Sequence, residues 1–180
     1  MTEARLVETD GGLVPEGEGW FVLNAREAKW LDGHFGAYTR FEAEPGSFPE
    51  VGINIGVLAP GQPACYYHGE DAQEGFLVLS GEALLIVEGE ERPLRPWDLA
   101  HCPPRTNHTI VGAGDGPCVV LAAGARILSV DNPDWGGYTV DEAALRHGAG
   151  VEQETTNAQE AYANVTPQRQ PTGYQPDWLG

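Results

Sequence analysis

The sequence predicts an all-β protein built as a single domain. Short apolar runs recur along the chain at spacings of roughly 8–12 residues, and turn residues separate them. The 180 residues include 24 glycines and 14 prolines, which suits a turn-rich chain. A chain of this length can bury a full core in one domain. The pattern is typical of a β-sandwich or β-barrel.

The N-terminal third contains weaker signals than the rest. Residues 1–18 are polar and rich in glycine, so we predict a flexible arm there. We predict strands at residues 20–24, 35–41 and 52–58, and one helical turn at 25–29. Residues 42–50 contain Pro45, Gly46 and Pro49, which indicates a loop.

The central part has the clearest alternation of strands and turns. Apolar runs predict strands at residues 64–68, 76–79, 83–87, 99–102, 108–111 and 118–122. Ser80-Gly81 and the segment 88–90 favour hairpin turns between them. Residues 112–116 are rich in glycine, but they join two strands and open no helix, so we interpret them as a turn as well.

The C-terminal part has a different pattern. Residues 139–142 and 156–159 both resemble capping boxes, which predicts two short helices, the second reaching residue 164. Gly148 would end the first helix. Beyond these the chain is polar and rich in proline, and Trp178 suggests that it docks on the domain or on a partner subunit.

Composition excludes several classes of function. The formal net charge of −17 argues against a nucleic-acid-binding protein, which needs a basic surface, and against binding to an anionic membrane. The three cysteines form no CxxC pair, and no apolar leader or spanning segment is present. We therefore expect a cytoplasmic protein with reduced thiols.

One stretch brings together residues that bind metals. His68 and Glu70 are two positions apart, so on a strand their side chains share a face. A turn would bring Glu74 beside them from the next strand, and His108 follows a Pro-Pro turn some 40 residues later. Imidazole and carboxylate groups in such a cluster are typical ligands of a divalent metal.

The same residues resemble two sequence motifs of the cupin superfamily. Gly61 is followed by His68-Gly-Glu70, then by Glu74 after three residues and by Gly81 after six more. The second motif is similar to residues 103–108, which end in His108. The resemblance departs from the family pattern at Glu70, where most cupins have histidine. It also departs at Trp97 and Arg105, where the family has glycine.

The resemblance implies a fold, a cofactor and an assembly. The fold would be a double-stranded β-helix, or jelly-roll barrel, at residues 19–130. Residues 131–180 would form a C-terminal arm whose short helices pack on the barrel or on a partner subunit. One divalent metal ion, Fe, Mn or Zn, would be bound by His68, Glu70, Glu74 and His108. A homodimer is implied, with Trp20 and Trp178 as candidates for its interface.

Two arrangements of the site remain open. In the first, all four residues bind the metal, and two carboxylates favour Mn, Fe or Zn over copper. In the second, His68, Glu74 and His108 form a two-histidine, one-carboxylate triad, and Glu70 acts as general base. By parity Tyr66 would share the face of His68 and donate its hydroxyl group to the site.

The sequence is compatible with three functions. The first is a metal-dependent enzyme, of dioxygenase, decarboxylase or isomerase type, that acts on a small molecule, with an anionic molecule as one option. The second is a non-catalytic protein that binds or senses a metal or small ligand, and the third is a barrel with vestigial ligands. Arg105 could contact an anionic substrate, although a solvated arginine is the simpler interpretation.

Overall fold

The computed structural model describes residues 2–42, 48–126, 134–165 and 169–178. Within them the strands, in chain order, are β1 (Arg5–Thr9), β2 (Gly12–Glu16), β3 (Trp30–Gly33), β4 (Gly36–Thr39), β5 (Val51–Leu58), β6 (His68–Glu70), β7 (Glu74–Ser80), β8 (Glu82–Val87), β9 (Glu90–Leu94), β10 (Leu99–Cys102), β11 (His108–Ala113), β12 (Cys118–Ala125), β13 (Gly136–Tyr138) and β14 (Gln170–Thr172). The helices in this part of the chain are α1 (Glu142–Arg146) and α2 (Ala158–Ala161).

Two antiparallel sheets form the body of the molecule. The larger has the strand order β10-β7-β12-β5-β4-β3-β14, and the smaller has the order β13-β6-β11-β8-β9. Val78 and Val120 of the larger sheet pack against Leu85 and Ile110 of the smaller one in a shared core. The all-β prediction is confirmed, and the two packed antiparallel sheets form a jelly roll.

The N-terminal residues form a hairpin, so the prediction of a flexible arm at residues 1–18 is wrong for the described part of this segment. Strand β1 pairs with β2 through a two-residue connection, Asp10-Gly11, and Gly11 has a φ of 91°. Asp-Gly between two apolar strands is a strong hairpin signal that the sequence analysis overlooked. The hairpin is tied to the barrel by backbone hydrogen bonds between Leu13 and both Glu27 and Lys29.

Two predicted strands differ from the observed ones. Residues 20–24 form only an isolated bridge, between Trp20 and Glu3. Residues 64–67 lie outside any strand, and β6 begins where the predicted strand was to end, at His68. The reason is that the backbone N–H of Tyr67 donates to the carbonyl of Ala149, near α1, instead of joining a sheet.

The C-terminal part adds to both sheets. Strand β13 pairs with β6, and β14 pairs with β3. Trp178 packs against Trp30, with ring centroids 4.7 Å apart, so Trp178 docks on its own chain and is not an exposed interface candidate. Trp20, in contrast, is half exposed.

Both predicted helices are present, but they start later than predicted. The N-cap of α1 is Asp141, whose carboxylate accepts from the N–H of Ala144, and the N-cap of α2 is Asn157. Helix α2 ends at Ala161, earlier than expected. The predicted boundary between residues 130 and 131 lies outside the described residues, as do Pro45 and Gly46 of the predicted loop.

Candidate metal centre

Three strands bring the four predicted ligands together. His68 and Glu70 lie on β6, and His108 begins β11 directly opposite His68. Glu74 begins β7 in the larger sheet and reaches the group from the other side. Donor atoms of His68, Glu70 and Glu74 all lie within 4.8 Å of one another. Nε2 of His108 is 3.0 Å from Oε2 of Glu74, so the fourth residue adjoins the same cluster.

Each histidine is oriented by a backbone carbonyl. Nδ1 of His68 lies 2.8 Å from the carbonyl oxygen of Tyr66, and Nδ1 of His108 lies 2.9 Å from that of Thr106. Because a carbonyl oxygen can only accept, Nδ1 must hold the proton in both rings. In the neutral rings Nε2 then presents a lone pair, which is how proteins prepare a histidine to bind a metal.

One carboxylate oxygen of the cluster has no hydrogen-bond partner among the described residues. Oε2 of Glu74 is buried, and although Nε2 of His108 is close, the two atoms do not meet hydrogen-bond geometry. A buried carboxylate oxygen is costly unless a cation satisfies it; a protonated His108 can do so, and so can a bound metal ion. Two nitrogen and two carboxylate donors around that oxygen fit a divalent ion.

The charges of the four groups are strongly coupled. Burial and the neighbouring Glu74 carboxylate raise the pKa of Glu70 to about 7. Burial and His108 lower the pKa of His68. Burial alone would lower the pKa of His108, but Cys102 and Glu74 outweigh it and raise this pKa to about 11. Without another cation, the cluster retains its charge balance by keeping a proton on His108.

A cavity of about 650 Å³ opens above the cluster. His68, Glu74 and His108 contribute to its lining, whereas Glu70 does not. The walls come from inward-facing strand positions of both sheets and are mainly apolar; they include Leu58, Phe76, Ile110, Val120 and Ala122. A concave, largely apolar site with a few convergent polar groups is typical of small-molecule binding.

Tyr66 does not occupy the predicted position. Since β6 begins at His68, the parity that would place the Tyr66 ring on the face of His68 does not apply. The ring instead stacks on Tyr162 at 4.9 Å and meets Phe35 edge-on at 5.2 Å, and it does not line the cavity. Tyr66 supports the site through its carbonyl oxygen, which holds His68.

Tyr162 is the residue that the sequence analysis missed. It lies just after α2, lines the cavity, and its hydroxyl oxygen accepts from the backbone N–H of Tyr66 at 3.3 Å. Burial raises its pKa above the ordinary tyrosine range, so the hydroxyl keeps its proton. An aromatic residue in a polar tail offers no signal of this role, because only tertiary packing brings the tail to the cavity.

The remaining candidate residues differ in whether they are buried and whether they line the cavity. The Arg105 side chain forms an ion pair with Asp71 at 3.1 Å and does not line the cavity. Of the two residues before the Pro-Pro turn, Cys102 is buried and His101 is exposed. Cys65 lines the cavity, and burial raises the pKa of its thiol to about 11.

Comparisons with known proteins identify the fold. Residues 54–124 match the family model of the cupin domain. KdgF from Halomonas sp. is 20% identical over 64% of this chain and 100% of that chain, with a TM-score of 0.53. The polyketide cyclase RemF from Streptomyces resistomycificus is 14% identical over 58% of this chain and 78% of that chain, with a TM-score of 0.50.

A third structure shares more sequence over a shorter length. A sugar phosphate isomerase of the cupin superfamily from Silicibacter pomeroyi is 27% identical over 50% of this chain and 59% of that chain, with a TM-score of 0.45. The chain therefore spans little more than half of that protein's length. No curated protein sequence matches this one.

In the described part of the chain, each helix is too short or too polar to cross a membrane. The family-model match covers the strands that hold His68, Glu74 and His108, and KdgF and RemF share the fold. Residues 54–124 are therefore similar to the cupin domain, and the chain has the cupin jelly-roll fold.

Proposed function

We propose that this protein binds one divalent metal ion through His68, Glu70, Glu74 and His108 and acts as an enzyme on a small molecule in the adjoining cavity. The buried Oε2 of Glu74, which lies 3.0 Å from Nε2 of His108 and is set among two oriented imidazoles and a second carboxylate, supports the metal site best. The cavity above it supports a small-molecule substrate.

The geometry supports Glu70 as a ligand and not as a separate base, whereas His108 is placed beside the group through its 3.0 Å contact with Glu74 and not by the 4.8 Å criterion. A donor oxygen of Glu70 lies within 4.8 Å of those of His68 and Glu74, which is the distance expected for ligands that share an ion. A general base must reach the substrate directly or through one water. Glu70 does not line the cavity, so a role as general base is the second choice.

The donor set limits the choice of metal. Imidazole and carboxylate ligands without sulfur favour Fe, Mn or Zn over soft copper. A divalent ion held there would supply Lewis-acid chemistry, or redox chemistry if it is iron. His68 and His108 would hold it through Nε2, since Nδ1 of each ring is bonded to the backbone.

A non-catalytic binding protein is the alternative. Apart from the proposed ligands, Cys65 and Tyr162 are titratable residues of the cavity wall with a raised pKa. Both hold their protons at neutral pH and would act as hydrogen-bond donors instead of bases. This observation favours binding without turnover, and assays with candidate substrates distinguish the two functions.

Metal analysis of the purified protein tests the metal site. We expect about one equivalent of Fe, Mn or Zn per chain, and loss of most of it in His108→Ala, because that variant removes a buried ligand. His101→Ala is the matched control, since this exposed histidine lies outside the cluster. Folded wild-type protein that takes up no divalent metal, or His108→Ala with full metal content, would contradict the proposal.

A further inference from the structure

Two arginines line the cavity of this acidic protein. The chain has 10 lysines and arginines against 27 aspartates and glutamates. Arg40 and Arg169 nevertheless both line the cavity. Among the described residues of the cavity wall, Glu74, a proposed metal ligand, is the one acidic residue. Both arginines are exposed, which places them at the mouth, while Glu74 lies at the base. The mouth of the cavity therefore carries cationic side chains although the molecule as a whole is strongly acidic.

Arg169 is held in position by the neighbouring sheet. It immediately precedes β14, whose pairing with β3 brings it beside Tyr38 of β4. Nη1 of Arg169 donates to the Tyr38 hydroxyl oxygen at 2.7 Å, and the guanidinium lies over the Tyr38 ring at 5.1 Å from its centroid. These contacts reduce the mobility that a surface arginine ordinarily has.

The charge of Arg169 is not matched by a carboxylate in the described structure. The ion pairs found among residues 2–42, 48–126, 134–165 and 169–178 do not include it. A guanidinium has five N–H donors, and Tyr38 takes one of them. The remaining donors suit a carboxylate or phosphate, which arginine binds through two parallel hydrogen bonds.

Between the mouth and the metal centre the wall is apolar. Phe76, Ile110, Val120 and Ala122 line this part, and Gly56 leaves it open, because a Cβ atom there would have no heavy atom within 4 Å. The cavity therefore has a cationic end, an apolar middle and a metal-binding base.

We propose that the cavity takes a small organic anion whose carboxylate or phosphate binds Arg169. Its apolar body packs on Phe76 and the neighbouring aliphatic side chains. Its opposite end reaches the metal centre, and this last part rests on the proposed function. Arg169 acts as a specificity-determining residue, and Tyr38 as the residue that positions it.

Calorimetric titration with matched probes tests the anion site. Phenylbutanoate and the neutral phenylbutanamide have nearly the same shape, and phenyl phosphate distinguishes a phosphate site from a carboxylate site. We expect at least one anion to bind roughly tenfold or more tightly than the amide, because hydrogen bonds to a charged group are the stronger ones. Arg169→Gln should abolish this preference and leave amide binding within about twofold.

Control variants separate the site from general charge and folding effects. Arg92→Gln makes the same charge change on the exposed strand β9, away from the cavity, and should keep the preference for the anion. Arg169→Lys should retain part of it, and Tyr38→Phe should weaken it while leaving the fold intact. An amide that binds as tightly as both anions, or an Arg169→Gln variant with unchanged anion affinity, would overturn the proposal.

Titrations of both metal-free and zinc-loaded protein keep this proposal distinct from the metal site, since a carboxylate could also bind a metal directly. Dependence on Arg169 that persists without metal supports the anion site even if the protein proves to bind no metal. If the anions bind only to zinc-loaded protein and Arg169→Gln does not change their affinity, the anion site is overturned while the metal centre is supported.

Discussion

At the scale of single residues, two departures from the cupin sequence pattern have a structural consequence. Trp97 and Arg105 stand where the family has glycine, and both adopt left-handed backbone conformations, with φ of 76° and 68°. A residue with a Cβ atom in this region costs roughly 1–2 kcal/mol relative to glycine. Both turns therefore hold a backbone conformation that favours glycine although neither residue is glycine.

Trp97→Gly should stabilise the protein by about 1 kcal/mol, because it removes this strain. The Trp97 side chain is 77% exposed, so little packing is lost. Chemical denaturation measures the change, and Trp97→Ala, which keeps the Cβ atom, is the control. If the glycine variant proves no more stable than the alanine variant, the backbone strain is not the determining factor.

A buried thiol gives a pH-dependent stability. Burial raises the pKa of Cys118 from 9.0 to about 11, so between these pH values the unfolded chain loses the thiol proton while the folded chain retains it. Stability should then fall as the pH rises across this interval, by on the order of 2 kcal/mol from this group.

Urea denaturation of wild type and Cys118→Ala at several pH values measures this contribution. The variant will be less stable at neutral pH, because Cys118 is fully buried, but its stability should decline less steeply above pH 9. Parallel declines in the two proteins would show that Cys118 does not titrate as described.

At the scale of elements, β5 forms one wall of the cavity by alternation. Asn54, Gly56 and Leu58 line the cavity, as the period of two requires. Gly56 pairs with Val120 on one side and with Tyr38 on the other. Because Gly56 has no side chain, space is left between Val120 of the apolar wall and Tyr38, which holds Arg169.

Gly56→Leu should occupy this space without disturbing the strand. The position has ordinary strand geometry, and a new Cβ atom meets nothing within 4 Å. We expect stability to stay the same or to rise by up to about 1 kcal/mol, since glycine is unfavourable inside a strand. Phenylbutanoate binding should fall at least roughly tenfold, and metal content should be retained.

Calorimetry and metal analysis of the same preparation check both outcomes. Gly52→Leu is an unsuitable control, because a Cβ atom there meets Arg126 at 3.1 Å. Gly116→Leu is better, since that position also has open space and lies in the turn before β12. Ligand affinity that is unchanged in Gly56→Leu would place the binding site elsewhere.

At the scale of the whole molecule, the residues of the proposed metal centre come from both sheets. His68, Glu70 and His108 belong to the smaller sheet, and Glu74 belongs to the larger one. An ion bound by all four would hold the sheets together and would bind the folded state only. Metal binding should therefore raise the free energy of unfolding of the whole domain.

Removal of the metal should lower the melting temperature, and its return should restore it. At a free zinc concentration about a thousandfold above Kd the gain is about 4 kcal/mol. Scanning calorimetry of chelator-treated and zinc-loaded protein measures this difference. Glu74→Gln should lose most of the zinc-dependent gain, whereas Glu82→Gln, an exposed change on β8, should keep it. If zinc does not change the melting temperature of the wild-type protein, the prediction that one metal ion is bound by residues of both sheets is contradicted.

The sequence predicted those parts of the site whose residues lie close together along the chain or within one motif. His68 and Glu70 share a strand, the motif spacing predicted Glu74 and His108 beside them, and the structure brings these four side chains together. Tyr66 was misplaced because the strand was predicted to begin at residue 64 and begins only at His68, so the alternation of side chains along a strand does not extend to Tyr66.

The sequence by itself determined the all-β class and the ligand cluster, because alternation of apolar residues and spacing within motifs are local properties of the chain. Only the tertiary structure decided the composition of the cavity mouth. Tyr38 and Arg169 meet there although Arg169 is 131 residues from Tyr38 along the chain, and Tyr162 of the C-terminal segment joins the same cavity wall. Such contacts arise from the pairing of β14 with β3 and from packing of the C-terminal segment, and no local pattern encodes them.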